Sequence, residues 1–208
     1  MITWRCAPFD ELTPREIHDM LQARSAAFVV EQSCVFLDID GIDPACWHLV
    51  GYMKSGPGLR RGDEGSDVPG LRRGDEGSDV PGMRRGDEGV DVPGMRAEGA
   101  ADVLVATARL VPPGVKFAEP SIGRVVTMGA VRGTGLGRVL MREAIAHAER
   151  LWPRQAIRVA AQQHLEKFYG SLGFVTTSAS YMEDGIPHVD MLRPSSKVAD
   201  RGGEAVGQ

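Results

Sequence analysis

The segment from Ile122 to Leu151 constrains this chain more than any other. It opens as Ile122-Gly123-Arg124-Val125-Val126-Thr127, passes through Arg132-Gly133-Thr134-Gly135-Leu136-Gly137-Arg138, and continues in a helical pattern, so it reads as strand, glycine-rich turn and helix. In the helical part Leu136, Val139, Leu140, Ala144, Ile145, Ala148 and Leu151 recur at three- and four-residue spacing. That spacing predicts one apolar stripe against a sheet, with Arg138, Arg142, Glu143 and Glu149 in water. A helix starting at Gly135 directs unpaired backbone N–H groups and the positive end of its dipole into the turn, which makes the turn an anion site. A dinucleotide fingerprint needs glycine where this chain has Arg138, and a Walker loop needs Gly-Lys-Ser/Thr where it has Gly137-Arg138-Val139. What remains is Arg132-x-x-Gly135-x-Gly137. The same glycines also suit a tight strand-to-helix connection with no ligand.

A chain of 208 residues, 42% of them hydrophobic, can bury one sizeable core and still carry an insertion. The net charge of -4 and pI of about 5.8 argue against the basic face that a nucleic-acid partner needs. Met1 to Glu11 has neither the basic start nor the apolar run of a signal peptide, and no stretch approaches the roughly twenty apolar residues of a membrane span. Cys6, Cys34 and Cys46 are odd in number and lack metal-ligand spacing, so they predict reduced thiols in a cytoplasmic protein without a metal.

In chain order, Ile2, Trp4 and Cys6 alternate with polar residues as a half-buried first strand. Thr13-Pro14-Arg15-Glu16 is a capping box with proline at the first helical position, predicting a helix that ends near Ala27. Phe28 to Gln32 then reads as a helix end packed on the core, with Glu31 solvated. Asp38, Asp40 and Asp43 suit turn chemistry better than a cation site. Strands follow at Cys46 to Met53 and Val103 to Val111. After the central helix come a strand at Ala156 to Ala161, a helix at Gln162 to Leu172 capped by Gly173, and strands at Phe174 to Tyr181 and His188 to Leu192.

Between two of these strands lie three copies of a twelve-residue unit, Gly58 to Pro69, Gly70 to Pro81 and Gly82 to Pro93. Each unit has three glycines, a proline and too few apolar side chains to offset the cost of ordering. Residues 55–100 therefore read as a disordered insertion at the tip of a hairpin, where added length costs little. Residues 194–208 read as a flexible tail, leaving 1–193 as a single domain.

The order of elements, with the Arg132 to Arg138 turn, resembles the GNAT N-acetyltransferase superfamily. Phe28-Val29-Val30-Glu31-Gln32, Ile122-Gly123-Arg124-Val125, Ala161-Gln162-Gln163-His164-Leu165, Phe168-Tyr169 and Asp184-Gly185-Ile186-Pro187-His188 are similar to its ElaA branch. The resemblance covers the chain apart from the repeats and the tail. It implies an α/β (α+β) fold, a mixed central sheet of about six to seven strands flanked by helices, and transfer of acetyl from acetyl-CoA to a primary amine of a small molecule or peptide. Arg132, Gly133, Thr134, Gly135, Leu136, Gly137 and Arg138 would hold the pyrophosphate. Val125, Val126 and Thr127 would pair with the pantetheine arm, and Gln162, where many members have asparagine, would bond to the same arm. Tyr169 matches the family's general acid. The resemblance leaves several alternatives open: the base (His48, Glu31, Glu183, His188 or a water), a homodimer, a different acyl group or an acyl-homoserine-lactone synthase, and a non-catalytic sensor or scaffold.

Overall fold

The computed structural model describes residues 1–32, 36–54 and 102–195. The twelve-residue repeats, Cys34 and the tail from residue 196 lie outside the described residues. The strands are β1 (Ile2–Pro8), β2 (Trp47–Met53), β3 (Val103–Val111), β4 (Ser121–Thr127), β5 (Ile157–Gln162), β6 (Val175–Thr176), β7 (Tyr181–Glu183) and β8 (Ile186–Arg193). The helices are α1 (Pro14–Arg24), α2 (Leu136–Leu151) and α3 (Glu166–Gly170). The strands form one sheet in the order β1-β2-β3-β4-β5-β8-β6, with β7 also paired to β8. β4 and β5 run parallel.

Local chemistry accounts for the element ends. Thr13 Oγ1 accepts the Glu16 N–H at 3.2 Å while Glu16 accepts the Thr13 N–H at 2.8 Å, completing the capping box of α1. The helix predicted to reach Ala27 changes pitch at Ser25. A π-helical stretch covers Ser25–Glu31, and the Gln32 N–H reaches the Ala27 carbonyl at 3.2 Å. The widened turn keeps Ala27 buried while Val29 and Val30 face outward.

On α2 the buried stripe is Leu136, Leu140, Met141, Ala144, Ile145 and Ala148. Val139, predicted to share it, is exposed because the four-residue rows from Leu136 and Met141 already fill the face that meets the sheet. In β2, Gly51 pairs with Trp4, and a Cβ there would lie 2.5 Å from the indole ring, so only glycine admits this packing.

Two more expectations are corrected. The helix expected over Gln162 to Leu172 is shorter: β5 continues through Gln162, and a 3-10 turn at Gln163–Leu165 precedes α3. The strand expected over Phe174 to Tyr181 is divided into β6 and β7. Between them the Thr177 N–H donates to the Asp190 carbonyl at 2.8 Å and Ser178 Oγ accepts the Asp190 N–H at 2.8 Å, so a hydroxyl replaces a rung of the ladder. Among the described residues the sheet therefore has eight strands.

Two irregularities at its centre position the site. β4 and β5 share one paired position, Ser121 with Arg158, backed by the Arg158 N–H on the Pro120 carbonyl at 2.9 Å. Along β4 the register with β3 slips between Thr107 and Arg109, so that Arg124 and Val125 together face Ala108. This is a β-bulge, and Arg124 adopts φ +50° within it.

Candidate active site

The parting of β4 from β5 opens a cavity of about 180 Å³. Val125 of the bulge, Gln162 at the end of β5 and Tyr169 of α3 line it, with Phe28, Glu183 and His188 on the remaining walls. Tyr169 is buried against the rings of Phe168 and Phe174, at centroid distances of 5.1 and 5.9 Å. Burial pushes its phenol up to about 12, so at neutral pH it holds its proton and can only donate it. Of the other expected strand residues, Thr127 is half-buried with its carbonyl accepting from Arg132 Nε at 2.9 Å, and Val126 is buried.

The glycine turn lies one step along the chain from this opening. β4 stops at Thr127, a 3-10 turn covers Gly129–Val131, and Gly135 caps α2 at φ +85°, a conformation open to glycine. Arg132, Gly133, Thr134 and Gly135 are exposed, Gly137 and Arg138 are half-buried, and Leu136 is in the core. Among the described residues no side chain caps the helix, and the first α2 amides with acceptors are those of Arg138 and Val139, both on the Gly135 carbonyl. The Leu136 and Gly137 N–H groups thus have no acceptor within the helix. A Cβ added at Gly133, Gly135 or Gly137 would meet nothing within 4 Å, so the space before these amides is open. An open cradle of backbone donors at a helix N-terminus suits a pyrophosphate. Arg138 extends from it to Ser171 Oγ at 2.8 Å and over the Phe168 ring at 5.7 Å, joining α2 to α3.

The end of the π-helical stretch reaches both lips of the opening. Glu31 pairs with Arg132 at 2.6 Å, and Gln162 donates to Gln32 at 3.1 Å. Glu31 is exposed, as expected, and its carboxylate forms a surface pair with the glycine turn.

The group that sequence reasoning missed is an ionic lattice behind the bulge. Arg24, buried at the end of α1, binds Asp38 and Asp43 at 2.8 Å each. Arg109 of β3 binds Asp40 at 2.7 Å and Asp43 at 2.9 Å. Arg124 lies 2.7 Å from Asp38 Oδ1, too poorly aligned for a hydrogen bond, and 3.3 Å from Asp40. Asp40 also accepts the Ile42 N–H at 3.3 Å, so the expected turn contact exists, but the three aspartates serve chiefly as counter-ions. Burial alone would raise Asp40; Arg109 outweighs it and holds the carboxyl at about 2. The sequence signal was a single arginine in each of two apolar strand patterns, Arg109 and Arg124.

His48 belongs to this core and not to the cleft. It is fully buried, its Nε2 donates to the Asp43 carbonyl at 3.0 Å, and burial lowers its pKa, so it is a neutral structural histidine. Burial raises the Cys6 and Cys46 thiols to about 11, so neither supplies a thiolate at neutral pH. Among the described residues no cluster of acids, histidines and cysteines suits a metal ion, and no helix is long and apolar enough to cross a membrane.

A parallel pair of strands that separates beside a bulge, with a glycine turn entering the next helix, defines the class, and comparison with known proteins agrees. Residues 95–193 match the acetyltransferase (GNAT) domain family. The chain is 31% identical to a UPF0039 protein of Synechocystis over 92% of its length and 94% of that protein. It is 31% identical to ElaA of Escherichia coli over 93% of its length and 97% of that protein. A crystal structure of an acyl-CoA N-acyltransferase from Pseudomonas aeruginosa superimposes with a TM-score of 0.66 at 32% identity, covering 93% of this chain and 99% of that one. The chain belongs to the GNAT acetyltransferases, in the branch that contains ElaA, and is an acyltransferase.

Proposed function

We propose that the protein transfers the acetyl group of acetyl-CoA to a primary amine by direct attack, with both substrates bound together. The observation that carries this reading is that the bulge at Arg124–Val125 and the protonated phenol of Tyr169 meet at one cavity where β4 has parted from β5. The amides of Leu136 and Gly137 would receive the pyrophosphate. The β4 edge from Val125 to Thr127, which β5 does not cover, would pair with the pantetheine arm as an added strand. Gln162 would reach the same arm once released from Gln32.

In the transfer, the nitrogen lone pair forms a bond to the thioester carbon while the carbonyl π pair moves to oxygen. A bulge N–H would meet the oxyanion. Collapse breaks the C–S bond and leaves the pair on sulfur. Tyr169 gives its proton to that sulfur and regains one from the new amide nitrogen, so the phenol is unchanged over a cycle. Burial among aromatic rings suits this role, because a phenol that resists ionisation in the resting enzyme arrives loaded at every turnover.

The test is release of free thiol from acetyl-CoA against a panel of primary amines, with Tyr169→Phe as the variant. The phenylalanine keeps the ring packing and removes the proton, so turnover should fall by roughly a hundredfold or more with acetyl-CoA affinity and melting temperature unchanged. Early melting or poor binding would make Tyr169 a packing residue. Binding without turnover in the unsubstituted protein would favour a sensor, and turnover only with longer acyl chains would change the donor. The cradle is tested separately by Gly137→Val, which avoids the left-handed backbone of Gly135 and fills only open space. Calorimetry should show acetyl-CoA affinity falling at least tenfold, and undiminished affinity would move the pyrophosphate elsewhere.

A further inference from the structure

We propose that His188 is the general base that takes the proton from the acceptor ammonium, an assignment that rests on the transferase reading above. Four side chains were open in the sequence, and their surroundings separate them. His48 is sealed in the core beneath the ionic lattice. Glu31 is paired with Arg132 at the glycine turn. Glu183 and His188 both line the cavity that Tyr169 and the bulge share.

His188 is the one that its neighbours orient. Its Nδ1 lies 2.9 Å from the carbonyl of Ile186, and a carbonyl only accepts, so the neutral ring carries its hydrogen on Nδ1 and its lone pair on Nε2. The ring also stacks on Tyr181 at a centroid distance of 6.1 Å and an interplanar angle of 25°. The Tyr181 hydroxyl donates to Asp190 at 2.9 Å, Arg158 binds Asp190 at 2.9 Å, and Glu119 grips the same guanidinium through two contacts of 3.0 Å. A chain of four side chains from the hinge of the β4–β5 opening thus holds the plate on which His188 rests. Among the described residues no hydrogen bond orients the Glu183 carboxylate, and an imidazole is by type the stronger base at neutral pH.

Register places the ring where such a base is needed. His188 pairs with Gln162, the last residue of β5, immediately before the turn that leads into the helix of Tyr169. The two proton-handling groups therefore come from adjoining elements on the β5 side, while the bulge that would hold the oxyanion comes from β4. The proton balance closes on these groups: R–NH3⁺ gives one proton to His188 Nε2, forming imidazolium and R–NH2, and the imidazolium later releases it to water. The second amine proton returns to Tyr169 after the phenol has protonated the thiolate.

The experiment measures steady-state thiol release from acetyl-CoA with whichever panel amine the unsubstituted protein uses, in His188→Asn and His188→Ala. Expected is a loss of roughly a hundredfold in kcat/KM for the amine, with acetyl-CoA affinity by calorimetry and melting temperature unchanged. Free imidazole added to His188→Ala should restore part of the rate, a recovery that a structural role would not produce. Full turnover in His188→Asn, a loss matched by weaker acetyl-CoA binding, or a loss that imidazole does not relieve overturns the assignment and leaves the transferase reading standing. If the unsubstituted protein releases no thiol with any amine, the transferase reading falls and this assignment falls with it.

Discussion

The two walls of the cleft use arginine in opposite ways. On the β4 side, Arg24 and Arg109 are almost fully buried and are neutralised by three aspartates of one loop. On the β5 side, Arg158 links Glu119 to Asp190 with all three side chains about a fifth or more exposed. A buried pair is expensive to form and more expensive to break, since removing one partner strands the other without water. A wetter pair contributes little to stability but still sets direction. The difference teaches which wall is frame and which is machinery. The dry lattice holds the loop of Asp38 to Asp43 against the strained backbone of Arg124, and so fixes the bulge. The wet chain ends on Tyr181, the plate beneath His188.

The sharpest way to break this comparison is to remove Arg109. Arg109→Ala leaves Asp40 and Asp43 facing each other with one fewer cation, and truncating one partner of a buried pair costs about 3–5 kcal/mol. Urea denaturation followed by circular dichroism should show a loss of that size, a large share of the stability of a domain this small. A loss under about 1 kcal/mol would mean that water reaches the lattice, and the contrast between the walls would disappear.

A smaller effect should appear in acid. The folded-state pKa of Asp40 lies at about 2, below its ordinary value of 3.8, and the guanidiniums around it lower Asp43 as well. The unfolded chain therefore binds more protons between these limits, and stability rises with pH across that window. The contribution is fully present above about pH 4 and is lost as pH falls through about 2. Thermal melts between pH 5 and pH 2 should show this decline, and Asp40→Asn should flatten it. An equal slope in the variant would assign acid sensitivity to other carboxylates, such as Glu16, which the Thr13 N–H and then Arg5 depress against burial, or Glu119, which Arg158 depresses.

These two regions were unequally legible in the sequence. The four-residue capping box and the glycine pattern predicted α1 and the glycine turn because each depends on neighbours a few residues away, whereas Tyr169 was singled out by the family resemblance. The ionic lattice joins Arg109 to Asp43 and Asp40 across 66 and 69 positions, and no local pattern encodes a partner at that distance. What local reading offered was the anomaly of a charge inside an apolar strand. The division of the strand after Phe174 was hidden for a related reason: Ser178 replaces a ladder rung only because Asp190 lies opposite. The π-helical pitch of Ser25–Glu31 was equally silent, since an amphipathic pattern that short fits both pitches.

The smallest expected effect on stability is the one that sharpens the comparison most. Arg158→Ala removes the link between Glu119 and Asp190 and uncovers the face of Phe117, over which the guanidinium sits at 5.1 Å. Because the pair is partly hydrated, unfolding by urea should register about 1 kcal/mol or less, against the several expected for Arg109→Ala. The rate should respond out of proportion. Without Arg158, Asp190 loses the contact that fixes its carboxylate, the Tyr181 hydroxyl loses a held acceptor, and the ring on which His188 stacks is free to turn. Turnover with a primary amine should fall about tenfold through kcat, while acetyl-CoA affinity at the distant glycine turn stays constant. A mirrored result, in which Arg158→Ala melts early and works at full rate while Arg109→Ala is stable and slow, would exchange the roles of the two walls.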